Sequence, residues 1–91
     1  MNTYTADLRN GETITFKSKA EWTHICVAVW TGKKIDWIRN IVQPEPGEHR
    51  HNTNHKSERA ALNNIKNDRH KQMMMTEGYV TEYYVVKLDK K

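Results

Sequence analysis

Three histidines in the polar segment 43–56 are the residues whose types and spacing most resemble a metal site. His49 and His51 form a His-x-His pair, and His55 follows four residues later. Because imidazole nitrogens bind zinc and related ions, an extended segment could present these rings to one ion. Ordering a flexible loop around an ion costs entropy, and the sequence has no Cys/His pairing typical of zinc sites. We therefore predict solvated histidines, with no metal and no cofactor.

A metal-dependent nuclease is one alternative function that these histidines suggest. Such a site would combine His51 with Asn63 or Asn64 and with His70. Nuclease chemistry of this kind requires carboxylate or histidine ligands that converge on one ion. The acidic residues of this region are scattered over a predicted loop and a predicted helix. We therefore do not expect an enzyme.

A basic surface is the stronger candidate site. The formal net charge is +4, and residues 49–76 carry all of this excess, because the basic and acidic residues before and after them cancel. A local positive field attracts acidic proteins and also nucleic-acid phosphates. On a helix, residues spaced three or four apart share a face. The predicted contact surface consists of Arg50, Lys56, Arg59, Asn63, Lys66 and His70.

Length and composition limit the architecture that can present this surface. Ninety-one residues predict a single domain, 1–91, with one modest core. Hydrophobic residues make up 36% and charged residues 29%, and no apolar run is long enough to predict a membrane span. Cys26 is the only cysteine, which excludes a disulfide framework and favours a cytoplasmic location.

The first element is predicted to be a β-hairpin formed by residues 3–8 and 12–17. A three-residue loop ending at Gly11 would pair Ala6 with Ile14 and Tyr4 with Phe16. A two-residue loop would split the apolar residues between the two faces. Since directly opposed residues share a face, the three-residue loop gathers the apolar residues on one side. We favour this register.

The central stretch, residues 19–31, supports two interpretations. Ser18 and Glu21 match a helix capping box, and the apolar residues after them follow helical spacing. The same residues also form an alternating β-branched row from Thr23 to Thr31, which favours a strand. We favour two strands, 22–30 and 35–42, and leave the helix as the alternative.

The remaining chain is predicted to hold a loop, one helix and a last strand. Residues 43–56 contain two prolines, one glycine and no apolar residue, which indicates a loop. The helix would begin after Ser57 as its N-cap and end near Met75, and residues 79–88 would form a strand before an unstructured tail, 89–91. The predicted fold is therefore α+β, with the order β-β-β-β-α-β. An antiparallel sheet of four to five strands would carry one helix on a face.

The opening of the chain resembles small phage-encoded proteins of unknown function. The resemblance covers residues 3–30 and rests on four short segments. These are Thr3-Tyr4-Thr5-Ala6-Asp7-Leu8, Asn10-Gly11, Lys17-Ser18-Lys19 and Trp22-Thr23-His24. Position 22 departs from the pattern, because this chain has tryptophan where the resemblance implies tyrosine. The resemblance implies a phage context and no particular biochemical activity.

These observations lead to one expected function and one main alternative. We expect a small, non-enzymatic, phage-derived protein that binds an acidic surface of a host defence or replication protein and inhibits it by occlusion. The alternative is a nucleic-acid-binding domain that uses the same basic residues. An unpaired sheet edge would also allow a homodimer.

Overall fold

The computed structural model describes residues 1–36 and 43–91. Within these ranges the chain forms six strands and two helices. In chain order they are β1 (Asn2–Asp7), β2 (Thr13–Ser18), β3 (His24–Trp30), β4 (His49–His55), α1 (Glu58–Asn67), α2 (Arg69–Thr76), β5 (Val80–Lys87) and β6 (Asp89–Lys90).

The strands form two antiparallel sheets, and this overturns the prediction of a single sheet with one helix. Among the described residues, sheet A has the order β2-β1-β6 and sheet B has the order β4-β3-β5. The α+β class is confirmed, but the helices number two. The prediction was wrong because hydrophobic alternation shows which residues are strands and does not show which strands pair.

Strand β3 lies at the centre of the molecule and is covered on both faces. Ile25 and Val27 belong to the core between the two sheets, whereas Cys26 and Ala28 belong to the core between sheet B and the helices. All four side chains are fully buried. A strand that is buried on both faces has a nearly continuous run of apolar residues in its sequence. The strand interpretation of this stretch is therefore confirmed, and the helix alternative is wrong.

The first hairpin has the predicted register. Tyr4 pairs with Phe16 and Ala6 pairs with Ile14. The Leu8 amide donates to the Glu12 carbonyl at 2.8 Å, which leaves three residues in the loop. Gly11 has φ 90°, a left-handed conformation that glycine adopts without steric cost.

The fourth strand is β4, which lies inside the segment predicted to be a loop. Most of the predicted strand 35–42 lies outside the described residues, and its first two residues, Ile35 and Asp36, are not in a strand. Strand β4 has β3 as its neighbour in the described part of the chain. Backbone hydrogen bonds to β3 hold β4 in the sheet. Thr53 pairs with Cys26 and His51 with Val27, so Asn52 between them is an extra residue that forms a β-bulge. An edge strand can be polar because its side chains need not complete a core, so its sequence carries no apolar alternation.

The predicted single helix is broken at Asp68. Ser57 caps α1 as predicted, since its hydroxyl accepts from the Ala60 amide at 3.0 Å. The Asp68 backbone is extended, its amide donates to the Asn64 carbonyl at 2.8 Å, and its carboxylate accepts from the Lys71 amide at 3.0 Å. Asp68 therefore ends α1 and caps α2. The change of direction buries Met74 and leaves Met73 exposed.

The capping role of Asp68 predicts a pH-dependent loss of stability. The Lys71 amide holds the pKa of the Asp68 carboxyl below its usual value. Because the folded pKa is the lower one, this contribution is present above about pH 4 and is lost as the pH falls through the folded pKa. We expect Asp68→Ala to lower the free energy of unfolding by about 1 kcal/mol at neutral pH. Thermal unfolding followed by circular dichroism at several pH values measures both effects.

The matched control for this prediction is Asp68→Asn, which keeps a capping oxygen but cannot titrate. Its Tm should stay near that of the unmodified protein at neutral pH and should fall less between pH 4 and pH 2. An equally steep acid loss in both proteins would show that the Asp68 carboxylate is not the titrating group.

The end of the chain is a strand rather than the predicted unstructured tail. Leu88 is buried and carries the chain from sheet B to sheet A. Tyr4 pairs with Lys90 and Thr5 with Asp89, and the Lys91 amide donates to the Thr3 carbonyl at 2.8 Å. These residues are polar because β6 contributes backbone hydrogen bonds to sheet A and exposes its side chains.

Candidate functional site

The three candidate metal ligands lie on β4, but they do not face one point. The Asn52 bulge reverses the side-chain alternation within this strand. His49 bonds the Tyr84 hydroxyl at 2.7 Å, and the His51 ring packs on Phe16 at 4.8 Å between ring centroids, so both face sheet A. His55 bonds Thr53 at 2.7 Å on the helix side of sheet B. Among the described residues no group of three potential metal ligands converges.

The residues of the nuclease alternative are also separated. His51 faces sheet A and bonds the Asn54 side chain at 2.5 Å. Asn64 lies on the other face of sheet B, where its side-chain oxygen accepts from the Lys71 ammonium group. Asn63 and His70 are exposed to solvent on α1 and α2. The fold therefore does not assemble these four residues around one ion.

A buried lysine is the polar feature that the sequence did not predict. The Lys71 side chain is 2% exposed, and its Nζ donates to Thr53 at 3.1 Å and to Asn64. The Tyr83 ring centroid lies 5.8 Å from the same Nζ, and burial raises the pKa of Tyr83 to about 12. Burial, together with the Lys71 charge, also lowers the pKa of His55. Buried charges require such partners, so this network anchors α2 to sheet B.

Lys71 is one of the cations counted in residues 49–76, and its burial removes it from the charge that the helices expose. The sequence carries no local signal for its burial, because on one continuous helix Lys71 would lie away from the face that carries Ala61 and Ile65. Burial also raises the pKa of the Cys26 thiol, which is enclosed between sheet B and the helices. A thiol in such surroundings is a structural apolar group and is not activated as a nucleophile.

Half of the predicted contact surface lies together on α1, and the other residues lie on other parts of the fold. Arg59, Asn63 and Lys66 are all exposed on one face of α1. Lys56 is exposed just before α1, and its Nζ lies 4.6 Å from the Trp22 ring centroid. His70 is exposed but lies on α2, beyond the Asp68 break.

Arg50 belongs to a different part of the molecule. It is half-buried on β4 and forms an ion pair with Glu48, a residue in the turn before the strand. Its charge is therefore partly neutralised within the fold. Arg69 is exposed at the start of α2, directly after the break at Asp68.

We define the helical surface as the exposed basic residues of α1 and α2 together with the exposed residues next to them on these helices. Its members are Arg59, Leu62, Asn63, Lys66, Arg69, His70 and Met73. Within the described residues, no carboxylate lies within ion-pair distance of its arginine and lysine side chains. The two carboxylates of the helical segment have other partners: Oε2 of Glu58 lies 4.0 Å from Nε2 of His24, and the Asp68 carboxylate caps α2. The helical surface therefore presents positive charge that the fold does not neutralise.

Comparisons with protein-family models, with curated proteins and with solved structures find no match to this chain. Within residues 1–36 and 43–91, no helix has the length and apolar character needed to cross a membrane. The geometry of the helical surface is thus the observation that bears most directly on function.

Proposed function

We propose that this protein is a non-enzymatic binding protein whose helical surface recognises an acidic face of another protein. The observation that carries the proposal is the exposure of Arg59, Lys66 and Arg69 without a carboxylate partner among the described residues. Arg9 and Lys90 have carboxylate partners within the fold, whereas Lys17 and Lys19 at sheet A are exposed and, among the described residues, have none. Unneutralised cations raise the rate of encounter with an acidic partner and contribute specificity once it is bound.

The rigidity of the helical layer supports this proposal. Helix α1 begins at the Ser57 cap, and Ala61 on its inner face is fully buried against sheet B. Lys71 and Met74 fix α2 in the same way. Arg59 and Lys66 are seven residues apart, or roughly 10 Å along the helix axis. Because the backbone is held in place, binding requires only the ordering of side chains, which lowers its entropic cost.

The partner proposed here is a host protein, and this part of the proposal comes from the resemblance and not from the charge. The resemblance of residues 3–30 to small phage-encoded proteins is the reason for proposing a host defence or replication protein, which would be inhibited by occlusion in the host cytoplasm. The charge of the helical surface supports an acidic partner and does not depend on that resemblance.

Charge reversal on α1 tests the proposal. We expect Arg59→Glu/Lys66→Glu to remove a partner that the unmodified protein captures from nuclease-treated host lysate, as read by affinity capture with mass spectrometry. Each exposed ion pair contributes up to about 1 kcal/mol, and the new glutamates add repulsion, so the loss should exceed tenfold in affinity. Thermal unfolding should be nearly unchanged, since neither cation has a partner within the described residues.

The matched control is Lys17→Glu/Lys19→Glu, which changes the net charge equally but lies at the sheet A end of the molecule, where both lysines are exposed. This variant should retain the partner. If both variants lose it, net charge rather than the helical surface governs binding, and if the α1 variant retains it, the helical surface is not the site. A nucleic-acid partner would instead be lost on nuclease treatment, and its binding would fall steeply with salt.

A further inference from the structure

The helical surface carries two large apolar side chains that the core does not use. Leu62 is 51% exposed and Met73 is 41% exposed. In the described part of the chain, the only other large apolar side chain with comparable exposure is Met1, at the chain start. The neighbouring positions Ala61 and Met74 are the buried ones. A polar residue at position 62 or 73 would therefore cost the fold little burial.

These apolar side chains are placed among the cations. Leu62 lies three residues after Arg59 and four before Lys66, so the three share one face of α1. Met73 lies four residues after Arg69, so these two share one face of α2. The Gln72 side chain donates to the Ile65 carbonyl at 2.6 Å, which holds the two helices together beside these residues.

This arrangement distinguishes between the classes of partner that a basic surface could serve. A phosphate backbone pairs with cations and offers nothing for an exposed leucine or methionine to bury against. A protein interface buries apolar groups at its centre and places charged groups at its rim. Methionine adapts to the shape of such a surface because its side chain is unbranched and flexible.

We infer that the partner of the helical surface is a protein whose acidic groups surround an apolar depression, and that Leu62 inserts into it with Met73 beside it. The inference rests on the proposed function and adds the chemistry of the partner. Cations at Arg59, Lys66 and Arg69 would meet carboxylates at the rim, and the apolar contact would supply the selectivity for protein over nucleic acid.

Two acidic helical peptides of equal charge test the inference. One carries leucines flanked by its glutamates on the same face, and the other carries glutamines at those leucine positions. Fluorescence anisotropy should show the leucine peptide binding about tenfold more tightly, as expected when one large apolar side chain is partly buried. Leu62→Gln should abolish this difference while leaving the glutamine peptide's affinity unchanged, and the conservative Leu62→Met should retain most of it.

The outcomes separate this inference from the proposed function. If Leu62→Gln leaves the preference for the leucine peptide intact while Arg59→Glu/Lys66→Glu weakens both peptides, the inference is overturned and the proposed function stands. If duplex DNA binds more tightly than both peptides and is insensitive to Leu62→Gln, the inference is likewise overturned. If charge reversal affects neither peptide, the proposed function itself fails.

Discussion

Tyr4→Phe is expected to lower the free energy of unfolding by about 2 kcal/mol, one of the two largest effects predicted for this fold. Tyr4 is fully buried between the two sheets, and its hydroxyl makes two hydrogen bonds. It donates to the Ala20 carbonyl at 3.0 Å and accepts from the Trp22 amide at 3.0 Å. Both partners belong to the segment that carries the chain from sheet A to sheet B. Phenylalanine keeps the ring packing and leaves both backbone groups without their partner.

Thermal and urea unfolding measure this loss, and for a domain of this size the expected fall in Tm is roughly 10 °C. Tyr79→Phe is the matched control, because it removes the same atom from a half-buried ring whose hydroxyl has no hydrogen-bond partner among the described residues. That variant should unfold within about 0.5 kcal/mol of the unmodified protein. Equal losses in the two variants would mean that the Tyr4 hydroxyl does not hold the segment between the sheets.

Gly32→Ala is expected to lower the free energy of unfolding by at least as much as Tyr4→Phe, because it combines backbone strain with a steric clash. Gly32 has φ 87°, a conformation that costs a residue with a Cβ about 1–2 kcal/mol. A Cβ at this position would also lie 2.5 Å from Cγ and 2.9 Å from the backbone nitrogen of Pro46. Because a backbone atom is involved, relief requires the turn before β4 to move. We expect a total loss of about 3 kcal/mol, measured by urea unfolding.

Gly11→Ala separates these two costs. Gly11 has φ 90°, yet an added Cβ would find no atom within 4 Å, so this variant carries only the backbone strain. It should therefore lose less stability than Gly32→Ala. Combining Gly32→Ala with Pro46→Ala removes the ring atoms of the clash and should recover part of the loss. Equal losses at the two glycines would show that contact with Pro46 is not significant.

The parts of the fold that the sequence predicted are those where local pattern and tertiary packing agree. The hairpin register follows from pairing Ala6 with Ile14, since only that register places the apolar residues on one face. The β-branched row around Val27 identified β3, and Ser57 identified the start of α1. In each case the residues that define the element also make its contacts.

The parts that were missed depend on contacts that leave no local pattern. Strand β4 is polar because its side chains lie at a sheet edge, so nothing in His49–His55 distinguishes it from a loop. The division into two sheets depends on where the chain turns after Ser18, and that turn is held by Tyr4, a residue remote in sequence.

The candidate site was predicted in part for the same reason. Arg59, Asn63 and Lys66 depend only on helical spacing within α1, and the structure exposes all three. Lys71 and Arg69 follow the break at Asp68, which exchanges the buried and exposed positions that a continuous helix would give. Aspartate in a helix interior is a weak signal for a break, because it is tolerated in helices as well as favoured at caps.

The pairing of β6 with β1 brings two parts of the chain that are far apart in sequence into one sheet. Tyr4 pairs with Lys90 and Thr5 with Asp89, whereas β1 and β2 are joined by a short loop. Contacts between residues distant in sequence slow folding, because a large loop must close before they form. We therefore expect the β1–β2 hairpin to form early in folding and β6 to join sheet A late.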